Sequence, residues 1–344
     1  MIPARRTTHR PRPWSVSRRA RVALALLLAA VLALAANASG RATPQPRAQT
    51  AASYMTGIGD ERPQMFGDKL WTQLHMKIVR YIVPYDAAVH PYYVGLTRKW
   101  INAAEANHEK ILIAFYHSEY TPTHLPSVAR YQQDVQKFLR LYPRIKEYQS
   151  WDEANRGNVA HAFSSPSAVL AAKYYRALIR ACRGCTVAGL DVLDTSVVSR
   201  TIRYISEFKH EIGRLHTVMP RFWGLHNYSD VNRFESSRTR ALMGAFRGQV
   251  WLTETGGIVR LAGTFSNHHG AGLKRAARAL KWMFTLAGAH SQIRRLYIFD
   301  WTGASATTRF DAGLMDAHDK PRAGYVVVCR HLHGAHCNVK LSSH

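Results

Sequence analysis

The two patterns that build this chain are plainest in residues 78–142, which contain IVRYIVPYD (78–86), GLTRKWINAAEANH (95–108), KILIAFYHS (110–118) and SVARYQQDVQKFLRLY (127–142). The first and third are short runs of aliphatic and aromatic residues between turn residues, which is typical of parallel strands buried on both faces. The second and fourth have apolar residues three and four positions apart, which predicts amphipathic helices. The segment therefore predicts two consecutive strand–helix units.

The same alternation runs through the rest of the chain. Strands are predicted at 54–60, 78–86, 110–118, 148–155, 186–194, 221–230, 249–257 and 294–303, and helices at 65–76, 95–108, 127–142, 166–182, 195–212, 233–248, 273–288 and 320–334. Eight such units in about 280 residues match the usual size of a (β/α)₈ barrel. A doubly wound sheet also alternates, but TGIGDERPQ after the first strand is not the Gly-rich phosphate turn of that fold. We predict an α/β fold, a (β/α)₈ TIM barrel, as one domain over 54–344.

The N-terminal region has the composition of an export signal. The first 21 residues contain seven Arg and no acid, and the apolar run VALALLLAAVLALAA (22–36) and small residues follow. This pattern predicts a signal peptide over 1–38, and an uncleaved membrane anchor is the alternative. The small, polar and Pro-containing residues 39–53 predict a disordered linker. We expect a secreted, extracellular protein, tethered to the membrane only if the N-terminal segment is retained.

The charge of the chain is strongly positive, at +25, with 47 Lys and Arg against 22 Asp and Glu. The rest of the chain is still strongly basic when the seven Arg of the N-terminal region are left out. Such an excess favours contact with anionic polymers or an anionic cell surface, and a generally basic solvated surface is the alternative. The sequence has no helix-turn-helix, RNP or zinc-finger pattern, so we expect no nucleic-acid partner.

Four cysteines in an exported chain predict disulfides. Three pairings are possible, and closeness in sequence favours Cys182–Cys185 and Cys329–Cys337. CRGC might be read as a redox motif, but no thioredoxin-like context surrounds it. CRHLHGAHC (329–337) combines two Cys with three His, so a metal site is the alternative to a disulfide-bonded C-terminal tail.

Polar and aromatic residues gather at the predicted strand ends, where barrel enzymes carry their chemistry. In strand order they are Asp60 and Glu61; Arg80, Tyr85 and Asp86; Tyr116, His117 and Ser118; Trp151, Asp152, Glu153 and Asn155; Asp191 and Asp194; His226, Asn227 and Tyr228; Thr253, Glu254 and Thr255; Asp300 and Trp301. One rim dense in carboxylates, His and aromatic rings is typical of an active site.

Two of these residues, Glu153 on predicted strand 4 and Glu254 on predicted strand 7, lie on opposite sides of a barrel mouth. Hydrolysis of a glycosidic bond needs such a pair: one carboxyl protonates the leaving oxygen, and the other attacks the anomeric carbon or activates a water. A separation of about 5–5.5 Å gives retention of configuration, and about 6.5–9.5 Å gives inversion.

At these two positions the chain resembles a known family. WDEAN (151–155) and WLTETGG (251–257) are similar to the strand-4 and strand-7 glutamate motifs of clan A glycoside hydrolases, and most similar to family 39-like and family 128-like enzymes of the "glycosyl hydrolase catalytic core" type. The resemblance covers residues 54 to about 328. It implies that Glu153 is the general acid/base and that Glu254 is the nucleophile.

The resemblance also implies roles for other residues. Arg80 would support the nucleophile and Tyr228 would hydrogen-bond it. His117, His226 and Asn155 would belong to polar substrate-binding positions, and Trp301 would form the floor on which the sugar stacks.

Asp152 departs from the family pattern, which has Asn immediately before the acid/base. Asn can donate a hydrogen bond to a sugar hydroxyl, whereas an ionised Asp can only accept. An extra anion beside Glu153 would also raise the pKa of Glu153, as a general acid requires.

Other residues have simpler interpretations. Trp151 is expected to pack in the core, and Asp191 and Asp194 could cap the fifth helix, above all Asp194 directly before TSVV. His226 and Tyr228 alternate along one predicted strand and would share a face.

The sequence therefore predicts a retaining glycoside hydrolase for a β-linked oligo- or polysaccharide, anionic or associated with a cell wall. We expect a monomer that needs no metal and no organic cofactor. A non-catalytic glycan-binding barrel is the first alternative. A metal-dependent hydrolase is the second, and no His-Glu-x-x-His pattern supports it.

Overall fold

The computed structural model describes residues 53–157, 165–339 and 341, and these ranges contain eleven strands and nine α-helices. The strands are β1 (Met55–Gly59), β2 (Ile78–Pro84), β3 (Lys110–Tyr116), β4 (Glu147–Gln149), β5 (Thr186–Ala188), β6 (Asp191–Leu193), β7 (Phe222–His226), β8 (Gln249–Thr255), β9 (Arg260–Leu261), β10 (Ile293–Phe299) and β11 (Phe310–Asp311). The helices are α1 (Lys69–Leu74), α2 (Pro91–Ala106), α3 (Val128–Leu141), α4 (Ala168–Ala181), α5 (Val198–Arg214), α6 (Tyr228–Arg233), α7 (Ser237–Phe246), α8 (Ala271–Gly288) and α9 (Ala323–His333).

The predicted signal peptide and all of the predicted linker except Ser53 lie outside the described residues. No helix within the described residues is both long enough and apolar enough to cross a bilayer.

Nine of the strands form one parallel sheet in the order β5-β4-β3-β2-β1-β10-β8-β7-β6. Its two end strands, β5 and β6, are consecutive in the chain and are separated by only Gly189 and Leu190. The Gly189 N–H donates to the Phe222 carbonyl (3.0 Å), and the Gly224 N–H donates to the Leu190 carbonyl (2.7 Å). The sheet therefore closes on itself, and the predicted TIM barrel is confirmed with its fifth strand split in two.

The split in the fifth strand depends on a glycine. A Cβ at residue 189 would lie 2.0 Å from Cγ of Pro220, a distance that no side chain can occupy. Gly189 thus allows Pro220, just before β7, to approach the barrel wall closely.

The main hydrophobic core lies between the sheet and the surrounding helices. On α3, for example, Tyr131 and Phe138 are fully buried, and the Phe138 ring meets Phe115 of β3 edge-on at 5.2 Å. Phe115 in turn stacks on Tyr148 of β4 at 5.9 Å. Each buried aromatic side chain contributes about 1.5–3 kcal/mol relative to an exposed one.

A second cluster fills the amino-terminal end of the barrel interior, where Ile78, Leu112, Trp251 and Tyr297 are buried. The Arg295 guanidinium lies 4.0 Å from the Trp251 ring centroid and forms a two-pronged ion pair with Glu147, with Nη2 3.0 Å from Oε1. We call these six residues the lower layer. It closes one end of the barrel, so a cavity can open only at the other.

Both favoured disulfides are present, Cys182–Cys185 and Cys329–Cys337, with Cα–Cα distances of 5.5 and 5.6 Å. The first follows α4 and the second ties the end of α9 to the following residues. The alternative of a metal site in CRHLHGAHC is wrong, because both of its cysteines are used in a disulfide.

Candidate active site

A cavity of about 540 Å³ opens at the carboxyl ends of the strands. Its lining includes Glu153, which follows β4, and Glu254 on β8. A larger groove of about 800 Å³ lies between α8 and α9, but the described residues that line it include no carboxylate. The smaller cavity is therefore the candidate active site.

Glu254 is held at both carboxylate oxygens. Nη1 of Arg80, on β2, donates to Oε1 (2.7 Å), and the Tyr228 hydroxyl donates to Oε2 (3.2 Å). Arg80 and Glu254 are both buried. The guanidinium and hydroxyl donors fix the direction in which the Glu254 oxygens point.

Glu153 sits on a turn rather than on a strand, and its φ of 40° is in the left-handed region. Oε1 lies 3.1 Å from Nδ1 of His226, and Oε2 lies 2.8 Å from Nη1 of Arg156. Burial alone would raise the pKa of the Glu153 carboxyl, but the hydrogen bond and charge of His226 and the charge of Arg156 outweigh it, so the pKa is lowered.

The expectation that Asp152 raises the pKa of Glu153 is therefore wrong. The Asp152 carboxylate turns away to pair with Nη2 of Arg80, so its charge is largely neutralised there. Burial, together with the charge of Glu254, raises the pKa of Asp152 itself above its ordinary value in spite of that pairing.

His226, the last residue of β7, connects the two glutamates. Its Nδ1 lies 3.1 Å from Glu153 Oε1 and 3.5 Å from Glu254 Oε2. Oε1 of Glu153 and Oε2 of Glu254 can therefore be no farther apart than the sum of these two distances. Burial would lower the pKa of His226, but the surrounding carboxylates, Asp191 first, raise it well above its ordinary value, so the ring is an imidazolium.

Asp191 belongs to the predicted rim of polar residues, but its interpretation as a cap of the fifth helix is wrong. Its Oδ2 lies 3.0 Å from Nε2 of His226 and 3.1 Å from Nη2 of Arg80, and its Oδ1 accepts from the Thr253 hydroxyl. Burial would raise the pKa of Asp191, yet these partners, His226 first, lower it to about 2. Asp191 is therefore a permanent anion beneath both glutamates.

A glycine on the neighbouring strand makes room for the Asp191 carboxylate. A Cβ at Gly224 of β7 would lie 2.2 Å from Oδ1 of Asp191 and 2.9 Å from Nε2 of Gln149. Gln149 also accepts from Nε of Arg80 (2.6 Å). The barrel interior is thus shaped at this level to hold polar side chains, and we call Arg80, Gln149, Asp191 and Thr253 the upper layer.

Two predicted substrate-binding residues do not reach the cavity. The Asn155 amide holds the strand-4 turn to the following strand, because Nδ2 donates to the Leu193 carbonyl (3.0 Å) and Oδ1 accepts from the Leu193 N–H (2.8 Å). Nδ1 of His117 contacts the Ser118 carbonyl at 3.2 Å, and the ring packs on Tyr116. The structure therefore does not bring Asn155 and His117 to the lining of this cavity.

The stacking floor predicted at Trp301 is also wrong. Trp301 is only 2% exposed and packs edge-on against Trp71 (5.3 Å) and Tyr325 (5.8 Å). It belongs to the core beneath the rim, since β10 already ends at Phe299. Trp151, which was expected to be a core residue, stacks on Tyr174 at 5.1 Å and is buried.

The chain after β7 turns earlier than predicted. Tyr228 is the first residue of α6, so it does not share a strand with His226, although both reach the cavity side of the barrel. Asp194 caps this same helix rather than the fifth: its carboxylate accepts the N–H groups of Ser229 (3.0 Å) and Asp230 (3.1 Å).

The cavity has one apolar wall that the sequence did not indicate. It is formed by Ile258, Leu261, Phe299 and Phe310, and the two Phe ring centroids are 6.3 Å apart. Leu261 and Phe310 come from the antiparallel pair β9–β11, which joins two loops that are distant in sequence. Pattern analysis of single strands cannot find such a wall.

The site offers a geometry that could hold a cation. Asp152, His226 and Glu254 each present a possible ligand atom, and the three atoms lie within 4.8 Å of one another. The Arg80 guanidinium already bonds both carboxylates, however, and the raised pKa of His226 disfavours the neutral imidazole that a metal requires. The arrangement suits proton transfer better than metal binding.

Comparisons with known proteins place the fold. No family model matches the sequence, and a search of curated proteins found no match. The structure is similar to a family 39 glycoside hydrolase from the gut symbiont Bacteroides cellulosilyticus WH2, with a TM-score of 0.52 and 14% identity over 81% of this chain and 63% of that chain. This chain therefore spans somewhat less than two thirds of that protein.

Similarity to two further barrels covers a larger share of those proteins. Xylanase 10B from Thermotoga petrophila RKU-1 gives a TM-score of 0.56 and 13% identity over 81% of this chain and 94% of that chain. A GH5_18 protein from Streptomyces cattleya gives a TM-score of 0.55 and 12% identity over 85% of this chain and 82% of that chain. These likenesses establish that the chain has the TIM-barrel fold.

Proposed function

We propose that this protein is a secreted, retaining glycoside hydrolase that cleaves a β-linked glycan or glycoside. The observation that carries the proposal is the pair Glu153 and Glu254, which line one cavity and touch the same His226 nitrogen at 3.1 and 3.5 Å. Proteins with similar barrels, a xylanase and a monomeric beta-xylosidase among them, support a glycosidase. The two disulfides are compatible with an exported protein.

In the first step Glu254 attacks the anomeric carbon. The glycosidic C–O bond breaks, and Glu153 transfers its proton to the leaving oxygen, which departs as an alcohol. Arg80 and Tyr228 keep the attacking carboxylate aligned through their bonds to its two oxygens. The product of this step is a glycosyl ester on Glu254.

In the second step the ionised Glu153 takes a proton from water, and the water oxygen attacks the anomeric carbon. The ester bond to Glu254 breaks, and the sugar leaves with its original configuration. Because Glu153 is touched by His226 and Arg156, its carboxylate form is well stabilised for this base role.

Asp152 lines the cavity beside Glu153, at the position where the resemblance expects Asn. Because Oδ1 of Asp152 pairs with Arg80, the Asp152 carboxylate can accept a hydrogen bond from a sugar hydroxyl but cannot donate one as the Asn amide does.

The test is hydrolysis of a panel of aryl β-glycosides and β-linked polysaccharides by the secreted protein and by Glu254→Gln. Proton NMR of the first product formed gives the anomeric configuration. The proposal predicts a β-anomer that appears first and is lost in the variant. Equal turnover in the variant, or an α-anomer as first product, contradicts it. Glycan binding without turnover in both proteins would instead indicate a non-catalytic glycan-binding barrel.

A further inference from the structure

We propose, resting on the proposed function, that the substrate carries a uronic acid and that Arg156 binds its carboxylate. Arg156 lines the cavity next to Glu153, and its side chain is 44% exposed. The inference names the chemical class of the substrate and gives a role to a residue outside both glutamate motifs.

The first observation is that neither oxygen of Glu153 is available to a substrate. Oε1 is 3.1 Å from Nδ1 of the buried His226 ring. Oε2 is itself buried, forms no hydrogen bond among the described residues, and lies 2.8 Å from Nη1 of Arg156 in an ion pair. A general acid needs one oxygen within hydrogen-bond reach of the leaving group. Since His226 is fixed between Asp191 and the glutamates, Arg156 is the partner that must move.

The second observation is that Arg156 is free to make this movement. Among the ion pairs of the described residues, its partner is Glu153, and its other named neighbours are the Tyr116 hydroxyl and the more distant charge of Asp152. Arg80, by contrast, is fully buried among three carboxylates. An exposed guanidinium with one carboxylate partner can exchange that partner for another.

A substrate carboxylate is the natural replacement because Arg156 already holds a carboxylate in this position. Guanidinium groups bind carboxylates through two parallel N–H bonds, so a uronate can replace Glu153 without leaving the cation unpaired. A neutral sugar offers no such exchange. The excess of 47 basic over 22 acidic residues would also attract a polyanionic glycan from solution.

The exchange would also prepare Glu153 for its chemistry. The charged groups that face Glu153 are His226, Arg156 and Asp191, and Arg156 is one of the two cations that hold its pKa down. When a uronate draws Arg156 away, the pKa of Glu153 rises and Oε2 becomes exposed. Only a substrate with the carboxylate would therefore generate the protonated acid efficiently.

The first arm of the test uses matched probes, the 4-nitrophenyl β-glucuronide and β-galacturonide against the β-glucoside and β-galactoside. Wild type should favour a uronide by at least about tenfold in kcat/KM, the factor for a 1.4 kcal/mol difference. Arg156→Gln should remove that preference and Arg156→Lys should restore part of it. Unchanged preference in Arg156→Gln, with both classes still hydrolysed and Glu254→Gln inactive, overturns the inference and leaves the glycosidase standing.

The second arm measures binding and does not need turnover. Calorimetry with free glucuronate and galacturonate is compared between wild type, Glu153→Gln and Arg156→Gln. Because Glu153 competes for Arg156, Glu153→Gln should bind one of the uronates several-fold more tightly than wild type, and Arg156→Gln should bind it more weakly. Equal affinity in all three proteins overturns the inference, whereas absence of hydrolysis alone counts only against the proposed function.

Discussion

The two ends of the barrel interior each contain an arginine, fully buried for Arg80 and partly buried for Arg295, but the charges around them differ. In the lower layer, Arg295 pairs with the single carboxylate of Glu147, which Lys110 also contacts. In the upper layer, Arg80 alone meets Asp152, Asp191 and Glu254. The lower end has more cations than carboxylates, and the upper end has three carboxylates for one guanidinium.

This difference separates a structural charge pair from a reactive one. Arg295 also packs on the Trp251 ring, so the lower layer is satisfied by one ion pair and by stacking. The upper layer needs further positive charge, and His226, whose pKa the carboxylates raise, supplies part of it. Buried excess charge of one sign is costly for a protein that needs only stability, and it is typical of sites with perturbed pKa values.

The largest expected effect comes from the upper-layer partner Glu254. Glu254→Gln removes the proposed nucleophile, so kcat should fall about 10⁴-fold or more, as for other enzymes that lose a nucleophile. The matched lower-layer change is Glu147→Gln. It should leave kcat within about threefold and instead destabilise the fold by about 3–5 kcal/mol. Chemical denaturation and kinetics on both variants measure this contrast, and similar kinetic losses in the two would contradict it.

The loss of activity in Glu153→Gln should depend on the leaving group of the substrate. Glycosides with poor leaving groups need protonation, so their kcat should fall by about 10²–10⁴-fold. Glycosides of dinitrophenol leave without a proton, so cleavage of their glycosidic bond should be nearly unaffected. Pre-steady-state release of the phenol from the two substrate types measures the difference. Equal losses on both would show that Glu153 supports structure rather than acting as the acid.

Asp191→Asn tests whether the upper layer sets the state of the imidazolium. Asp191 is the leading cause that raises the pKa of His226, so the variant should lower the His226 pKa and reduce kcat by about 10²-fold through misplaced glutamates. Titration of the His226 ring resonance by NMR measures the shift directly. Glu147→Gln should leave that titration unchanged, and an unchanged titration in Asp191→Asn would refute the proposed coupling.

The smallest expected effect is on stability against pH. The folded pKa of His226 is raised, so its contribution to stability is complete below the unfolded value of about 6.5 and is lost as the pH rises through the folded pKa. Between neutral and alkaline pH, the free energy of unfolding of wild type should therefore fall by about 1–2 kcal/mol more than that of Asp191→Asn. Thermal unfolding across this pH range measures the difference in stability. Parallel curves of stability against pH for the two proteins would contradict the expected loss in wild type.

The sequence was informative where one element carries the signal. Short apolar runs and helical patterns identified all eight barrel units, and the flanking motifs located Glu153 and Glu254. Arg80 and Tyr228 were predicted beside the nucleophile by resemblance, and the structure places both against Glu254.

Residues whose positions depend on contacts between elements were missed. The role of Asp191 in the site was hidden because its strand is split at Gly189, and its space depends on Gly224 of the next strand. Trp301 comes after the end of β10, where the chain turns the indole into the core. The apolar wall needs two loops that pair only in three dimensions. No local pattern contains such information.

The most direct test of the central claim is to identify the residue that becomes glycosylated. The protein is treated with the dinitrophenyl 2-deoxy-2-fluoro derivative of a β-glycoside that it hydrolyses, and the modified peptide is sequenced by mass spectrometry. The fluorine slows the second step, so the covalent intermediate accumulates. We predict one sugar per chain, attached to Glu254. An adduct on another residue, or inactivation without any adduct, would contradict Glu254 as the nucleophile.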